Sequence, residues 1–289
     1  MKLTRRAFIR TTVALGAGAV GATTVRAKES TTPGGATVED TTAHAVRWFG
    51  AKGYAPDVAA PLISGIPFNG GLNFDDHFEA SEKARYVVQP CSRVEDLRKK
   101  DSPGTLPLFT IFGTAPDPGR PLADHVKDLV GFLTGPAGID PARLRVTTTE
   151  LSKSVFPVLA DLGIASDRIR LQPVEKAKRE GAGSGFFAPS GHPQKPAFAT
   201  FSVEFAMSDG SELEIAEIGT ESGGHAAGAG GFGLERVTMA RNDRPIPWSE
   251  RLPVFKDAVE ADAKSRGVPL PPGYYEVLGL PRPDAVKKS

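Results

Sequence analysis

The segment Gly230-Gly231-Phe232-Gly233-Leu234-Glu235-Arg236 carries the most chemical information in the chain. Its glycines let a strand turn tightly into a helix and leave the backbone open to a phosphate. An arginine at the start of that helix can fork onto an anionic oxygen. The rival reading of Arg236 is a structural salt bridge at a helix start. Arg93, in Arg93-Val94-Glu95, is either a second ligand cation or an exposed strand arginine. Glu204, Glu214 and Glu217 fall on the strands of a predicted hairpin before the glycines, where a solvated face is the plain reading of each. Asn69, Gly70, Gly71 and Asp75 either line a pocket or make ordinary turns. His44, His77, His125, His192 and His225 are dispersed without H-x-x-x-H spacing, so neither zinc nor a triad is expected. Cys91 has no evident partner base and reads as a small buried thiol; as the single cysteine it excludes an internal disulfide.

These residues need elements to position them. Val38–Lys52 reads as a helix, with Thr37 and Asp40 spaced as a capping box and Gly53 as its stop. An extended, proline-punctuated stretch follows through Pro61 and Ile63. Tyr86–Val88 and Leu106–Phe112 read as a hairpin around the turn residues Asp101–Gly104. Leu122, Val126, Leu129, Val130 and Leu133 recur at helical spacing, which predicts a helix over Pro121–Thr134. Arg143–Thr149 reads as a strand and Leu151–Leu162 as a helix interrupted near Pro157. Ala197–Met207 and Glu212–Ile218 form a hairpin about Ser208-Asp209-Gly210. Leu234–Ala240 and Leu252–Arg266 read as helices. Hairpins mixed with helices predict an α+β fold, an antiparallel β-sheet flanked by helices.

The chain has 289 residues, of which 40% are hydrophobic and 24% charged, an ordinary folded mixture. Thr4-Arg5-Arg6-Ala7-Phe8-Ile9-Arg10 is a twin-arginine pattern. A mildly apolar run and Val25-Arg26-Ala27 follow, so residues 1–27 read as an export signal and 28–36 as a linker. The expected destination is the periplasm or the extracellular space, with no membrane attachment after cleavage. Residues 1–27 hold five basic and no acidic side chains. The remainder has 30 basic and 34 acidic residues, net −4, which disfavours a polyanion partner.

Gly-x-Gly-Leu-Glu-Arg opening a helix after an acidic hairpin resembles motif 3 of the class II aminoacyl-tRNA synthetases. Arg93-Val94-Glu95 with its hairpin to Phe109 resembles motif 2, and Val38–Lys52 with the strand near Pro61 resembles motif 1. Within that class the alanyl type is the nearest likeness. Val46–Tyr54 is similar to its opening helix, Phe68–Phe74 to its Asn-Ala-Gly-Met segment, and Gln89-Pro90-Cys91-Ser92-Arg93 to its Gln-Pro-Cys-Ile-Arg. Phe132–Leu144 is similar to its helix-to-strand connection.

The resemblance implies a catalytic domain over 37–240, with a helical, proline-rich extension over 241–289. It implies ATP and Mg²⁺. Arg93 and Arg236 would clamp phosphate, and Glu95, Phe109, Gly231, Gly233 and Glu235 would bind the nucleotide. Glu214 or Glu217 would hold the metal, and a homodimer would form through motif 1. This chain departs from the family in lacking an acid at 228–230 to hold a substrate amine, and in ending soon after motif 3. The expected activity is therefore activation of a small amino or carboxylic acid as an acyl-adenylate, passed to an acceptor other than tRNA. The alternative is an inactive, exported paralogue that binds a small molecule.

Overall fold

The computed structural model describes residues 35–59, 62, 68–69, 83–93, 104–117, 119–187, 198–220, 228–267, 269–270 and 272–281. The twin-arginine pattern, Glu95, the turn residues 101–103, Gly70, Gly71, Asp75, His77, His192 and His225 lie outside them. In chain order the elements are α1 (Val38–Ala51), β1 (Ala55–Pro56), β2 (Phe68–Asn69), β3 (Arg85–Arg93), β4 (Leu108–Ala115) and α2 (Leu122–Thr134). Then come β5 (Leu144–Thr149), α3 (Phe156–Asp161), β6 (Ile169–Gln172), α4 (Val174–Glu180), β7 (Phe186–Phe187), β8 (Phe198–Ala206) and β9 (Glu212–Gly219). The last are β10 (Gly230–Gly233), α5 (Leu234–Asn242), α6 (Trp248–Arg266) and α7 (Pro272–Val277).

The strands lie in the order β1-β3-β4-β10-β9-β8-β5-β6, with β2 on β3 and β7 on β8. The pairing is mostly antiparallel, and β3 with β4 and β8 with β9 are the expected hairpins. The sheet is nevertheless mixed: β1 pairs with β3, and β5 with β6, in parallel. The second pair follows from the connection between its strands. The chain leaves β5 through a 3₁₀ stretch (Glu150–Val155) and α3, so it re-enters the sheet at the same end. The expected break in Leu151–Leu162 falls just before Pro157, where Phe156 opens α3 and the missing proline N–H costs nothing.

Local chemistry sets α1. Thr37 Oγ1 accepts from the Asp40 N–H at 3.0 Å, and Asp40 Oδ2 accepts from the Thr37 N–H at 3.1 Å, the expected capping box. Val38, Thr41, Ala45 and Phe49 are its buried stripe. Phe49 rests 4.9 Å from Phe112 and 6.1 Å from Phe232. Those two rings stack across β4 and β10 at 5.0 Å, where the register pairs them, and Phe132 of α2 stacks on Phe232 at 4.9 Å. This aromatic pile joins two helices to the middle of the sheet. On the opposite face Val87, Gln89, Cys91 and Ala115 are also buried, and Gly231 and Gly233 are partly exposed.

Beyond α5 the chain is part of the same body. Phe255, Val259, Tyr274, Val277 and Leu278 form a second apolar cluster with Leu62 and with Leu108 of β4. Trp248 stacks on Phe255 and opens α6 one turn earlier than expected from the sequence. No helix among the described residues is long and apolar enough to cross a membrane.

Phe49 is fully buried at the centre of this pile. Phe49→Ala should therefore cost about 3–5 kcal/mol of unfolding free energy, whereas Thr37→Ala should cost only about 1 kcal/mol. Urea denaturation of the two variants checks the contrast; comparable losses would place the main support of α1 at its cap rather than in the aromatic pile.

Candidate functional site

The site begins with β10, whose four residues are Gly-Gly-Phe-Gly. Phe232 points into the core, so Gly231 and Gly233 take the other face. A Cβ on Gly231 would come within 2.7 Å of the Phe112 carbonyl oxygen, and one on Gly230 within 2.6 Å of the Glu217 carbonyl oxygen. Glycine is thus required for β4, β10 and β9 to lie this close. It also leaves β10 without side chains on the face opposite Phe232, where Gly231 and Gly233 are partly exposed.

Register sets the neighbours of these glycines. On β4, Phe109, Ile111 and Gly113 alternate with the buried Phe112 and share the face opposite it. Cys91, opposite Phe109, places Arg93 in the same row of β3. On the far side Glu217 lies opposite Gly231 and Ser202 opposite Glu217. The β8–β9 register then shifts. Val203 pairs with Ala216 but Glu204 pairs with Glu214, so Ile215 is an extra residue on β9. Residues three apart on a regular strand point to opposite faces; the bulge puts Glu214 and Glu217 on the same one.

One of these acids holds Arg236. Arg236, projecting from the first turn of α5, donates from Nη1 to the Glu214 carbonyl oxygen (3.1 Å) and to Oε2 (3.2 Å), and from Nε to the Gly104 carbonyl oxygen (3.2 Å). Glu217 Oε1 accepts from Thr200 Oγ1 (2.8 Å), from the Gly183 N–H (3.3 Å) and at the limit from Ser202 Oγ (3.5 Å). Burial, followed by the negative charge of Glu214, pushes the Glu217 carboxyl up to about 8. The bonds from Thr200 and Gly183 and the positive charge of Arg93 oppose that rise. Arg236 thus bonds Glu214 from α5, while Arg93 on β3 contributes positive charge at Glu217. Glu214 and Glu217 are also the groups here able to hold a cation. Among the described residues no group of three or more histidine, cysteine and acidic side chains could enclose one, so phosphate and water oxygens would have to complete its shell.

Several expected residues have other surroundings. Glu235 was expected to touch the nucleotide, yet it is fully buried with both oxygens engaged. Oε2 accepts the Thr110 N–H at 2.8 Å and Oε1 accepts Arg251 Nη2 at 2.8 Å. Its carboxylate braces the helix. Glu204 is turned to Thr147 Oγ1 (2.8 Å) and Arg170 (3.8 Å), and burial raises its carboxyl. Cys91 is buried, as expected of a structural thiol. His125 is a core histidine: its Nδ1 lies 2.6 Å from the Tyr54 hydroxyl, which donates to Asp128, and burial pushes the imidazole down to about 4.

Sequence reasoning missed Gly183, Thr200 and Ser202. The run Gly181-Ala182-Gly183-Ser184-Gly185 carried a signal, since alternating glycines mark a backbone in unusual conformations. All three have positive φ (76°, 85° and 100°), and a Cβ on Gly185 would meet the Thr148 backbone at 2.8 Å. That turn brings the Gly183 N–H to Glu217. No protein-family model matches the chain, and no curated protein matches it.

The titration of Glu217 has a defined sign. Its carboxyl stays protonated in the folded chain up to about 8, while the unfolded group ionises near 4.5. The stability it contributes is fully present below the unfolded value and is lost as pH rises through the folded one. Urea unfolding between pH 5 and 9 should show the native chain losing stability across this window and Glu217→Gln losing distinctly less. Parallel profiles would mean that Glu217 is ionised throughout.

Proposed function

We propose that the chain is a class II synthetase-like adenylating enzyme of the alanyl type. It would bind ATP with Mg²⁺ on the glycine-bearing sheet face, activate a small amino or carboxylic acid as an acyl-adenylate, and pass the acyl group to an acceptor other than tRNA. The observation that carries this reading is Arg236 bonded to Glu214, with the positive charge of Arg93 acting on Glu217, beside the glycines of β10. Two guanidinium groups either side of a flat floor suit a polyphosphate chain, because each can fork onto adjacent anionic oxygens.

In the proposed reaction a carboxylate oxygen of the acid bonds to the α-phosphorus. The bond from that phosphorus to the bridging oxygen breaks, and pyrophosphate leaves with its electrons. Arg93 and Arg236 stabilise the negative charge on the phosphate oxygens as it redistributes. Arg236 Nε and Nη1 are held by Gly104 and Glu214, so a phosphate competes with a carbonyl and a carboxylate for them. Phe109, partly buried on the same face, offers a ring edge or face to the base, and Glu95 is assigned to the adenine amino group. Bound Mg²⁺ would neutralise polyphosphate charge, and Glu214 with Glu217 would hold it. Burial first, and then the repulsion from Glu214, raise Glu217, and a divalent ion would relieve the second of these. Export by the twin-arginine route, after folding, and assembly as a homodimer complete the proposal.

ATP–pyrophosphate exchange across a panel of small amino and carboxylic acids tests the chemistry, and calorimetry tests the site. ATP should bind the native chain, and Arg236→Ala should weaken it at least about tenfold, the loss expected for one charge-assisted contact. Binding without exchange for any acid would favour the inactive, ligand-binding alternative. A folded chain that binds no nucleotide would end the synthetase reading.

A further inference from the structure

We infer that Arg251, on α6 in the segment beyond 240, is a positioning residue for Arg236, acting through the buried carboxylate of Glu235. The inference rests on the reading of Arg236 as the anion-binding group, and the geometry behind it is independent of any ligand. β10 ends at Gly233, opposite Ile111. The next backbone donor of β4 on that side, the Thr110 N–H, has no strand left to pair with. Glu235, in the first turn of α5, supplies the missing acceptor at 2.8 Å. A carboxylate with no solvent exposure needs a countercharge. Arg251 provides it at 2.8 Å, with its own side chain only 12% exposed.

The consequence is a chain of contacts from α6 to the site. Arg251 fixes Glu235, Glu235 fixes the start of α5 against β4, and the next residue is Arg236. With the helix start held on its inner side, the guanidinium of Arg236 emerges toward Glu214 and the Gly104 carbonyl. Phe255 and Val259, on the following turns of α6, pack on Leu108 two residues before Thr110, so α6 is anchored to the same strand that the strut braces. A nearly buried, positively charged side chain thereby sets the direction of the one at the site.

Two variants test this, Arg251→Met and the neutral pair Glu235→Gln/Arg251→Met, which removes the grip of Arg251 without leaving a buried lone charge. The first readout needs no ligand: the Nε–H resonance of Arg236, which reports its bond to the Gly104 carbonyl. If Arg236 loses its place, that resonance should move toward the position of an exposed arginine and exchange faster with solvent. Folded variants in which it keeps its native position and exchange rate would overturn the inference, and if only the double variant folds, it decides. The second readout compares ATP with adenosine. Arg251→Met or the double variant should weaken ATP about tenfold and leave adenosine unchanged. An equal loss for both would mark a merely structural role. If the native chain binds no ATP, the synthetase reading fails, and the Arg236 resonance still decides the role of Arg251.

Discussion

Two carboxylates that repel each other stand side by side on β9, and the rest of the site is arranged around that repulsion. A single extra residue in the strand, Ile215, turns Glu214 onto the face that Glu217 already occupies. Left alone, such a pair in a partly dry setting would drive one member to take up a proton, which is the direction of the shift at Glu217. The neighbours divide the work of containing it. Arg236 is placed on Glu214, and Thr200, Ser202 and the Gly183 backbone are placed on Glu217. A surface arranged in this way has charge to exchange, because both a cation for the acids and an anion for the arginines would relieve contacts that are now made internally.

The carboxylate pair borders a strand with few side chains of its own. β10 is short and nearly devoid of side chains on one face, and its one large residue points the other way, into the stack with Phe112 and Phe132. The two faces of one four-residue strand thus do opposite things. One carries the aromatic pile that joins α1 and α2 to the sheet. The other is bare backbone. The same close approach of strands that forbids a Cβ at Gly230 and Gly231 produces both results.

Support for the site comes from outside the sheet as well. Where β10 ends, the unpaired edge of β4 is completed by a helix side chain, and that side chain is neutralised by a residue sixteen positions later on a different helix. The segment after residue 240 is joined to the sheet by this ion pair and by the cluster around Leu108. An extension that reads as a tail in the linear chain is, in the fold, the underside of the strand next to the site.

Elements whose instructions are local were legible in the sequence. The capping box of α1, the apolar stripe of α2, the Ser-Asp-Gly turn and the glycine-rich entry to α5 depend on residues within a few positions of one another. They occur where their chemistry places them. Arg236 could be named as a candidate from the glycines and helix start beside it, whereas Arg93, Glu214 and Glu217 were singled out by the resemblance to class II motifs. What could not be read was which charges meet. The bulge at Ile215 arises from the register of two strands, the parallel entry of β6 from a helical crossover, and the burial of Glu235 from a donor left over at the end of β10. Each depends on residues far apart in the chain that come together only after folding. The same Gly-Leu-Glu-Arg run therefore holds one charge that is partly exposed and one that is sealed in. Glu235 is held by the Thr110 N–H and Arg251, and Arg236 by Glu214 and Gly104.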